Sequence, residues 1–152
     1  QRLLDAVEHD RDQWRDAAID EVQQRVAAPR SGQSPVQNDV LVEILMWAKR
    51  HDDAWDAAHT GGCKPRRWMD LAAARESSHP IDAIDVYEPQ VLRSIEAKNN
   101  QAYASAVQLM ERIRRLAASA GVPERFDALV VIARTVHKPK RNLQKLLNEQ
   151  GW

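Results

Sequence analysis

Three of the five histidines and the single cysteine lie close together in the middle of the sequence. His51, His59, Cys63 and His79 fall within 29 residues, and His59 and Cys63 are four residues apart, a spacing that zinc ligands use. Cys63 with His59 or His79 also offers a nucleophile and a base. A structural zinc site needs four placed ligands, and no local signature of a cysteine enzyme surrounds Cys63. The alternative is surface histidines with Cys63 packed in a turn, and we expect no metal site and no catalysis here.

Paired carboxylates are the other residues that could support acid–base chemistry. Asp52 and Asp53 are adjacent, and Asp82 lies three residues before Asp85. Such pairs work as acid and base only where burial raises one pKa, whereas these acids fall in polar turns and helix starts. Asp82 is better explained as an acid that complements the positive end of a helix. We therefore predict that the chain is not an enzyme.

A basic cluster lies near the C-terminus, in a stretch without acidic residues between Asp127 and Glu149. The cluster consists of Lys138, Lys140, Arg141 and Lys145. Cations at this density can contact phosphates, although no aromatic residues alternate with them for base stacking. The alternative is favourable placement of cations near a helix C-terminus on a solvated face. Nucleic-acid contact through this cluster is the second functional hypothesis.

Aromatic residues suggest either packing anchors or a peptide-binding surface. Trp47, Trp55 and Trp68 recur near predicted helix ends, and Tyr87 and Tyr103 lie on later helices. We interpret the tryptophans as anchors between helices, while helical repeats also use exposed aromatic grooves to bind peptides. If the aromatic residues form such a groove, these five are the candidates for contact with a protein partner.

The composition predicts an all-α fold. Alanine is the most frequent residue, only two threonines and five glycines occur, and 43% of residues are apolar. Alanine, leucine, arginine and glutamate favour helices, and the β-branched residues do not alternate with polar ones as a half-buried strand requires. No apolar run approaches the ~20 residues needed to span a bilayer. A lone cysteine is typical of a reducing cytoplasm, which is our expected location.

About eight helices follow from apolar spacing and from the stops at proline and glycine. An amphipathic helix at 1–28 is a cap or flanking segment, 29–38 is a linker, and 39–152 is a helical-repeat domain. Asn38 or Asp39 is the expected N-cap of the second helix. The expected helices after the first span about 39–50, 52–60, 65–77, 81–97, 99–120, 123–137 and 140–150. Pro89 should kink or split the helix that contains it.

Neighbouring helices resemble one another in pairs. Trp68-x-x-Leu71-Ala72 followed by Ala83-x-x-x-Tyr87 approximates the tetratricopeptide pattern, and Tyr103-x-x-Ala106 followed by Phe126 repeats it more loosely. We therefore expect antiparallel helix pairs stacked as a right-handed, tetratricopeptide-like array.

Three segments together resemble a known family. They are Gly61-Gly62-Cys63-Lys64-Pro65-Arg66-Arg67-Trp68, running into His79-Pro80 and residues 83–87; Asn99-Asn100-Gln101-Ala102-Tyr103, with Ala106 and Ile113-Arg114; and His137-Lys138-Pro139-Lys140-Arg141-Asn142-Leu143, with Leu146-Leu147. Over residues 40–150 they are similar to the C-terminal helical region of bacterial SWIM-type zinc-finger proteins.

The resemblance implies a scaffold that works beside a separate zinc module. In that family a Cys-x-Cys and Cys-x-His motif lies upstream of the helical region, whereas this chain has only Cys63. The resemblance therefore implies no cofactor in this chain, zinc in an upstream module, and a protein or peptide partner. It supplies no catalytic residues, and it leaves nucleic acid as the alternative partner.

Overall fold

The computed structural model describes Gln13, Asp16, Ala17, Ile19, Asp20 and residues 35–152. The five isolated residues are helical, and residues 35–152 contain seven helices and no strand. The helices are α1 (Pro35–Trp47), α2 (His51–Gly61), α3 (Pro65–Arg75), α4 (Pro80–Glu96), α5 (Asn100–Ser119), α6 (Pro123–Thr135) and α7 (Arg141–Gln150). The all-α prediction is confirmed.

The chain forms two compact units, divided between Leu71 and Ala72 within α3. In the first unit α1 packs against α2 around a small apolar core. Its fully buried members include Ile19, Val42, Leu45, Ala54 and Leu71. Ile19 is the described part of the predicted 1–28 helix that enters this core. Apart from the other four described residues, the remainder of that predicted helix lies outside the described residues.

The first well-described helix begins earlier than the sequence predicts. We expected it to start at residue 39 after a linker over 29–38, but α1 begins at Pro35. The prediction that Asn38 or Asp39 caps this helix is therefore wrong, because both residues lie inside it. Both side chains instead take part in hydrogen bonds to the turn after α2, Asn38 to the Gly62 carbonyl and Asp39 to the Lys64 amide.

A glycine ends α2, and an asparagine caps the start of α5. Gly62 follows α2 with a φ of +74°, a conformation that favours glycine. Asn99 precedes α5, and its side chain accepts a hydrogen bond of 2.8 Å from the Ala102 N–H. That bond satisfies one of the free amide groups at the start of the long helix.

The second unit contains the helices α4 to α7. The long helix α5 packs against α4, α6 and α7. Its buried side chains recur at three- and four-residue intervals, so they form the stripe that faces the neighbouring helices. The core of this unit includes Ile84, Tyr87, Ile95, Met110, Ile113, Leu143 and Leu147.

Polar contacts join α4 to α6 and to the turn after α6. Arg125 at the start of α6 pairs with Glu88 of α4 at 2.7 Å. Lys140, in the turn after α6, contacts Glu96 at the end of α4 at 3.3 Å. The two contacts follow the same order along α4 and along the segment from α6 to Lys140. The stacking of antiparallel helix pairs as a right-handed tetratricopeptide-like array stays a prediction.

Pro89 does not split its helix. α4 is continuous from Pro80 to Glu96 and contains Pro89 in its interior. Tyr87, Val91 and Ile95 are fully buried on either side of it. The packing of this apolar face holds the helix together although the amide of residue 89 is missing.

Candidate functional site

Two of the predicted aromatic residues and a histidine form one cluster in the first unit. The rings of Trp55 and Trp68 meet edge to face with centroids 5.7 Å apart. The His59 ring lies 4.6 Å from Trp55 and 4.9 Å from Trp68. The two tryptophans therefore connect α2 to α3, and His59 packs against them instead of pointing toward a ligand set.

Cys63 lies in the turn after α2, partly buried. Burial, and next the negative charge of Asp39, raise the pKa of its thiol to about 11, while Arg67 acts in the opposite direction. A thiol with this pKa is protonated at neutral pH and is a poor nucleophile and metal ligand.

The remaining residues of the candidate metal site do not converge. Within residues 35–152 and the few described before them, no three His, Cys, Asp or Glu side chains are placed to hold a metal ion. His79 instead directs its Nδ1 toward the Ser78 hydroxyl at 2.9 Å.

The candidate acid–base carboxylates are engaged in ion pairs. Asp82 contacts the buried Arg75 at 2.8 Å, which joins α3 to α4. Asp85 contacts Arg125 at 2.8 Å, and Asp53 contacts Arg50 at the same distance. Each of these three carboxylates is therefore engaged by a guanidinium group.

Tyr87 and Tyr103 belong to the core and not to a binding surface. Tyr87 is fully buried, its hydroxyl donates a hydrogen bond to Glu76, and Arg112 lies over its ring. Burial raises the pKa of Tyr87, and the Glu76 contact raises it further. Tyr103 is buried on α5. Neither ring is available to a partner, because the apolar stripes of α4 and α5 face each other.

Trp47, unlike the two tyrosines, is exposed to solvent. We interpreted it as an anchor between helices, but it is 74% exposed at the end of α1. On the same helix Val40 is 48% exposed, while Ile44 between them is partly buried against the core. The interpretation as an anchor is wrong for Trp47, because the core is formed by its neighbours Leu45 and Ala48 while the indole remains in solvent.

The four cations of the basic cluster differ in their surroundings. Lys140 is largely buried, and its Nζ lies within 3.3 Å of the Ile95 carbonyl, Glu96 and His137. Lys138, Arg141 and Lys145 are exposed, and none has an ion-pair partner in the described part of the chain. Lys145 also lines a shallow groove of about 260 Å³ between α5 and α7, together with Asn100, Ala104, Asn142, Leu146 and Glu149. Three of the four residues that the sequence predicts as anion contacts are therefore exposed to solvent.

Sequence reasoning missed an exposed apolar surface on α6. Val131, Ile132 and Val136 are 58%, 37% and 68% exposed, although the buried side of this helix is already filled by Phe126, Leu129 and Ala133. The signal was present as the run Leu129-Val130-Val131-Ile132, because four successive apolar residues must occupy more than one face of a helix.

Comparisons with protein-family models, with curated proteins and with solved structures find no match to this chain. Among the described residues, no helix combines the length and apolar character needed to cross a membrane.

Proposed function

We propose that this chain is a non-catalytic helical scaffold for protein–protein interaction, and that an amphipathic helix of its partner docks on α1. The exposure of Trp47 is the observation that carries the proposal. A large aromatic ring that is 74% exposed has no role in packing its own domain. Tryptophan is among the residues that contribute most to binding energy at protein interfaces.

The spacing along α1 suits a helical partner. Val40, Ile44 and Trp47 are separated by four and three residues, so they lie along one face of the helix. A partner helix with apolar side chains at the same intervals can pack along this face. The charged residues beside it are already paired, since Glu43 contacts Arg67 at 2.9 Å.

Two observations support the non-catalytic part of the proposal. The pKa of Cys63 is raised to about 11, which leaves the thiol protonated at neutral pH. The candidate carboxylates Asp82 and Asp85 are held by arginines at 2.8 Å. We further propose that the scaffold is the C-terminal part of a larger, cytoplasmic SWIM-type zinc-finger protein of a bacterium. A Cys-x-Cys and Cys-x-His motif in the adjoining coding sequence would support that placement.

Selection from a displayed library of amphipathic helical peptides tests the docking face. The library carries apolar residues at the spacing of Val40, Ile44 and Trp47, and selected peptides are titrated against the full chain. We expect Trp47→Ser to weaken their binding at least about tenfold. The matched control Ile81→Ser, which alters an exposed apolar residue in the second unit, should leave it unchanged. No saturable binder below about 100 μM, or equal binding by both variants, would contradict the proposal.

Nucleic-acid contact is the second candidate function. The exposed, unpaired Lys138, Arg141 and Lys145 favour it, since each phosphate contact adds affinity that is lost with salt. The Lys140 side chain is engaged within the unit and is left out of this surface. Binding of single- and double-stranded oligonucleotides, measured from about 20 to 200 mM salt, should weaken with Arg141→Glu and Lys145→Glu. Affinity that stays undetectable at the lowest salt concentration rules this function out.

A further inference from the structure

The outward face of α6 carries a regular stripe of exposed residues, which we call the outer stripe. Its members are spaced by four, three, four and three residues: Glu124, Ala128, Val131, Thr135 and Lys138. All five are exposed. This spacing is that of the contact positions in a coiled coil, so the four members that belong to the helix lie along one side of it. Lys138 lies in the turn that follows α6.

The outer stripe is distinct from the face that packs in its own unit. Phe126, Leu129 and Ala133 fill the buried side of α6. On the outer stripe, Val131 is 58% exposed, and small side chains lie one turn before it and one turn after it. The Thr135 hydroxyl donates to the Val131 carbonyl at 2.7 Å, so it requires no other polar partner. Val131 with its small neighbours is therefore suited to close packing against another helix.

The charges at the two ends of the outer stripe favour a second copy of this chain as its partner. Glu124 lies seven residues before Val131, about 10 Å along the helix axis, and Lys138 lies seven residues after Val131, in the turn that follows α6. Both are exposed, and neither has an ion-pair partner among the described residues. An antiparallel copy of the same stripe, centred on Val131, would bring the acidic start of α6 with Glu124 to the end of the second copy that carries Lys138, and the reverse. The stripe is thus complementary to itself.

We infer that α6 forms the two-fold interface of a homodimer, in which the outer stripes of two copies of this chain pack antiparallel about Val131. Interfaces of this kind use the same patch on both subunits. One helix face is smaller than the ~800 Å² that each partner contributes to a standard interface, so the dimer is weak. We expect a dissociation constant on the order of 10–100 μM. The inference uses α6 and does not depend on the docking of a partner on α1.

Sedimentation equilibrium of the full chain from about 5 to 500 μM tests the interface. Val131→Asp places two carboxylates at the two-fold axis and should raise the dissociation constant at least about 100-fold. Lys145→Glu, which alters an exposed cation outside the stripe, is the matched control and should leave the constant unchanged. Circular dichroism checks that each variant keeps its helices, which is expected because Val131 is exposed.

Reversal of the end charges tests the antiparallel register. Glu124→Lys alone and Lys138→Glu alone each bring like charges together twice, so each should raise the dissociation constant about tenfold at low salt. The double variant Glu124→Lys with Lys138→Glu restores opposite charges and should recover dimerisation. A chain that stays monomeric at 500 μM, a dimer insensitive to Val131→Asp, or a double variant no better than the single ones would overturn the inference. A dimer lost only on Trp47→Ser would instead assign self-association to α1.

Discussion

Gly61 lies against the side chain of Asn38, and no larger residue fits there without a rearrangement. A methyl group built on Gly61 would come within 2.5 Å of the Asn38 Cγ. The Asn38 amide is buried, and it donates to the carbonyls of Ala57, at 2.9 Å, and Gly62. Its neighbour Asp39 accepts from the Lys64 amide at 3.0 Å. These contacts tie α1 to the turn after α2.

We expect Gly61→Ala to lower the free energy of unfolding by about 1–3 kcal/mol, because the added methyl group displaces the Asn38 amide. Asn38→Ala should cost a similar ~1–3 kcal/mol, since it leaves carbonyl groups without a donor. In the double variant the steric conflict is gone, so the two effects should fall short of additivity by more than ~1 kcal/mol. Urea unfolding of the four proteins measures this coupling, and strict additivity would show that the two residues do not interact.

The Cys63 thiol should react slowly in the folded chain. With a pKa of about 11, raised mainly by burial, only a very small fraction is thiolate at pH 8. We expect alkylation by iodoacetamide at pH 8 to be about 100-fold slower in the native chain than in the chain unfolded in urea. The rate should rise with pH as the thiol ionises. Equal rates in the native and unfolded chains would contradict this environment for Cys63.

At the scale of elements, α4 tolerates an interior proline because its apolar face is buried on both sides of that residue. The helix spans 17 residues, and Pro89 is exposed within it. A proline at this position removes the hydrogen bond that residue 89 would donate to the Asp85 carbonyl. The stability of α4 therefore depends on tertiary packing more than on local propensity.

Pro89→Ala should raise the free energy of unfolding by about 1–2 kcal/mol. Restoring the helical hydrogen bond contributes up to ~3 kcal/mol, and the greater freedom of the unfolded chain offsets part of it. The control Pro80→Ala changes a proline at the start of the same helix, where no bond is missing, and should have little effect. Urea unfolding compares them, and a Pro89→Ala variant less stable than the parent would refute the expectation.

A buried histidine lies where the turn after α6 meets the end of α4. His137 accepts a contact of 3.0 Å from Lys140 Nζ, and Glu96 lies 3.5 Å from the same ring nitrogen. Burial, and next the charge of Lys140, lower the pKa of His137, while Glu96 acts in the opposite direction. The neutral imidazole is therefore the form that fits the folded unit.

This environment predicts a loss of stability in mild acid. The pKa of His137 is lower in the folded chain than in the unfolded one, so the unfolded chain takes up the proton first as the pH falls. Stability should be retained above the ordinary histidine pKa of about 6.5 and should decrease below it. Urea unfolding at pH 7.5 and 5.5 should show a smaller decrease for His137→Gln than for the parent. His79→Gln, at an exposed position, is the control, and an equal decrease in all three proteins would contradict the prediction.

At the scale of the whole molecule, the net charge of zero conceals two regions of opposite sign. Residues 1–62 carry seven basic and twelve acidic residues, and residues 63–152 carry fifteen basic and ten acidic ones. Charge is also distributed unevenly within the second region. Glu124 lies in the first turn of α6, and Lys138, Lys140 and Arg141 follow the end of that helix. Self-association by α6 requires this local polarity and not the net charge.

Dimerisation through α6 should make thermal stability depend on concentration. A ligand that binds only the folded state raises the midpoint of unfolding, and a second copy acts as such a ligand. Between about 10 and 500 μM we expect Tm to rise by about 2–5 °C for the parent chain and to stay constant for Val131→Asp. Scanning calorimetry measures both, and a parent Tm that is independent of concentration would argue against the dimer.

The helices were largely predictable from the sequence, because periodicity and chain stops are properties of each segment. Gly62, Asn99 and Pro123 mark helix limits that the structure confirms. The start of α1 was not predicted, because Asn38 resembles an N-cap by residue type while its side chain bonds to a turn 24 residues away. Long-range partners of this kind leave no local pattern.

The sequence by itself determined that the chain is helical and where most helices end, since hydrophobic spacing and proline or glycine act within one segment. Only the tertiary structure decided which aromatic residues face solvent. Tyr87 is fully buried and Trp47 is 74% exposed, although both occupy apolar positions of amphipathic helices. The reason is that burial depends on whether a second helix covers the face, and that cover comes from distant parts of the chain. The same reason applies to the outer stripe of α6, which is apolar at its centre and uncovered by the described helices.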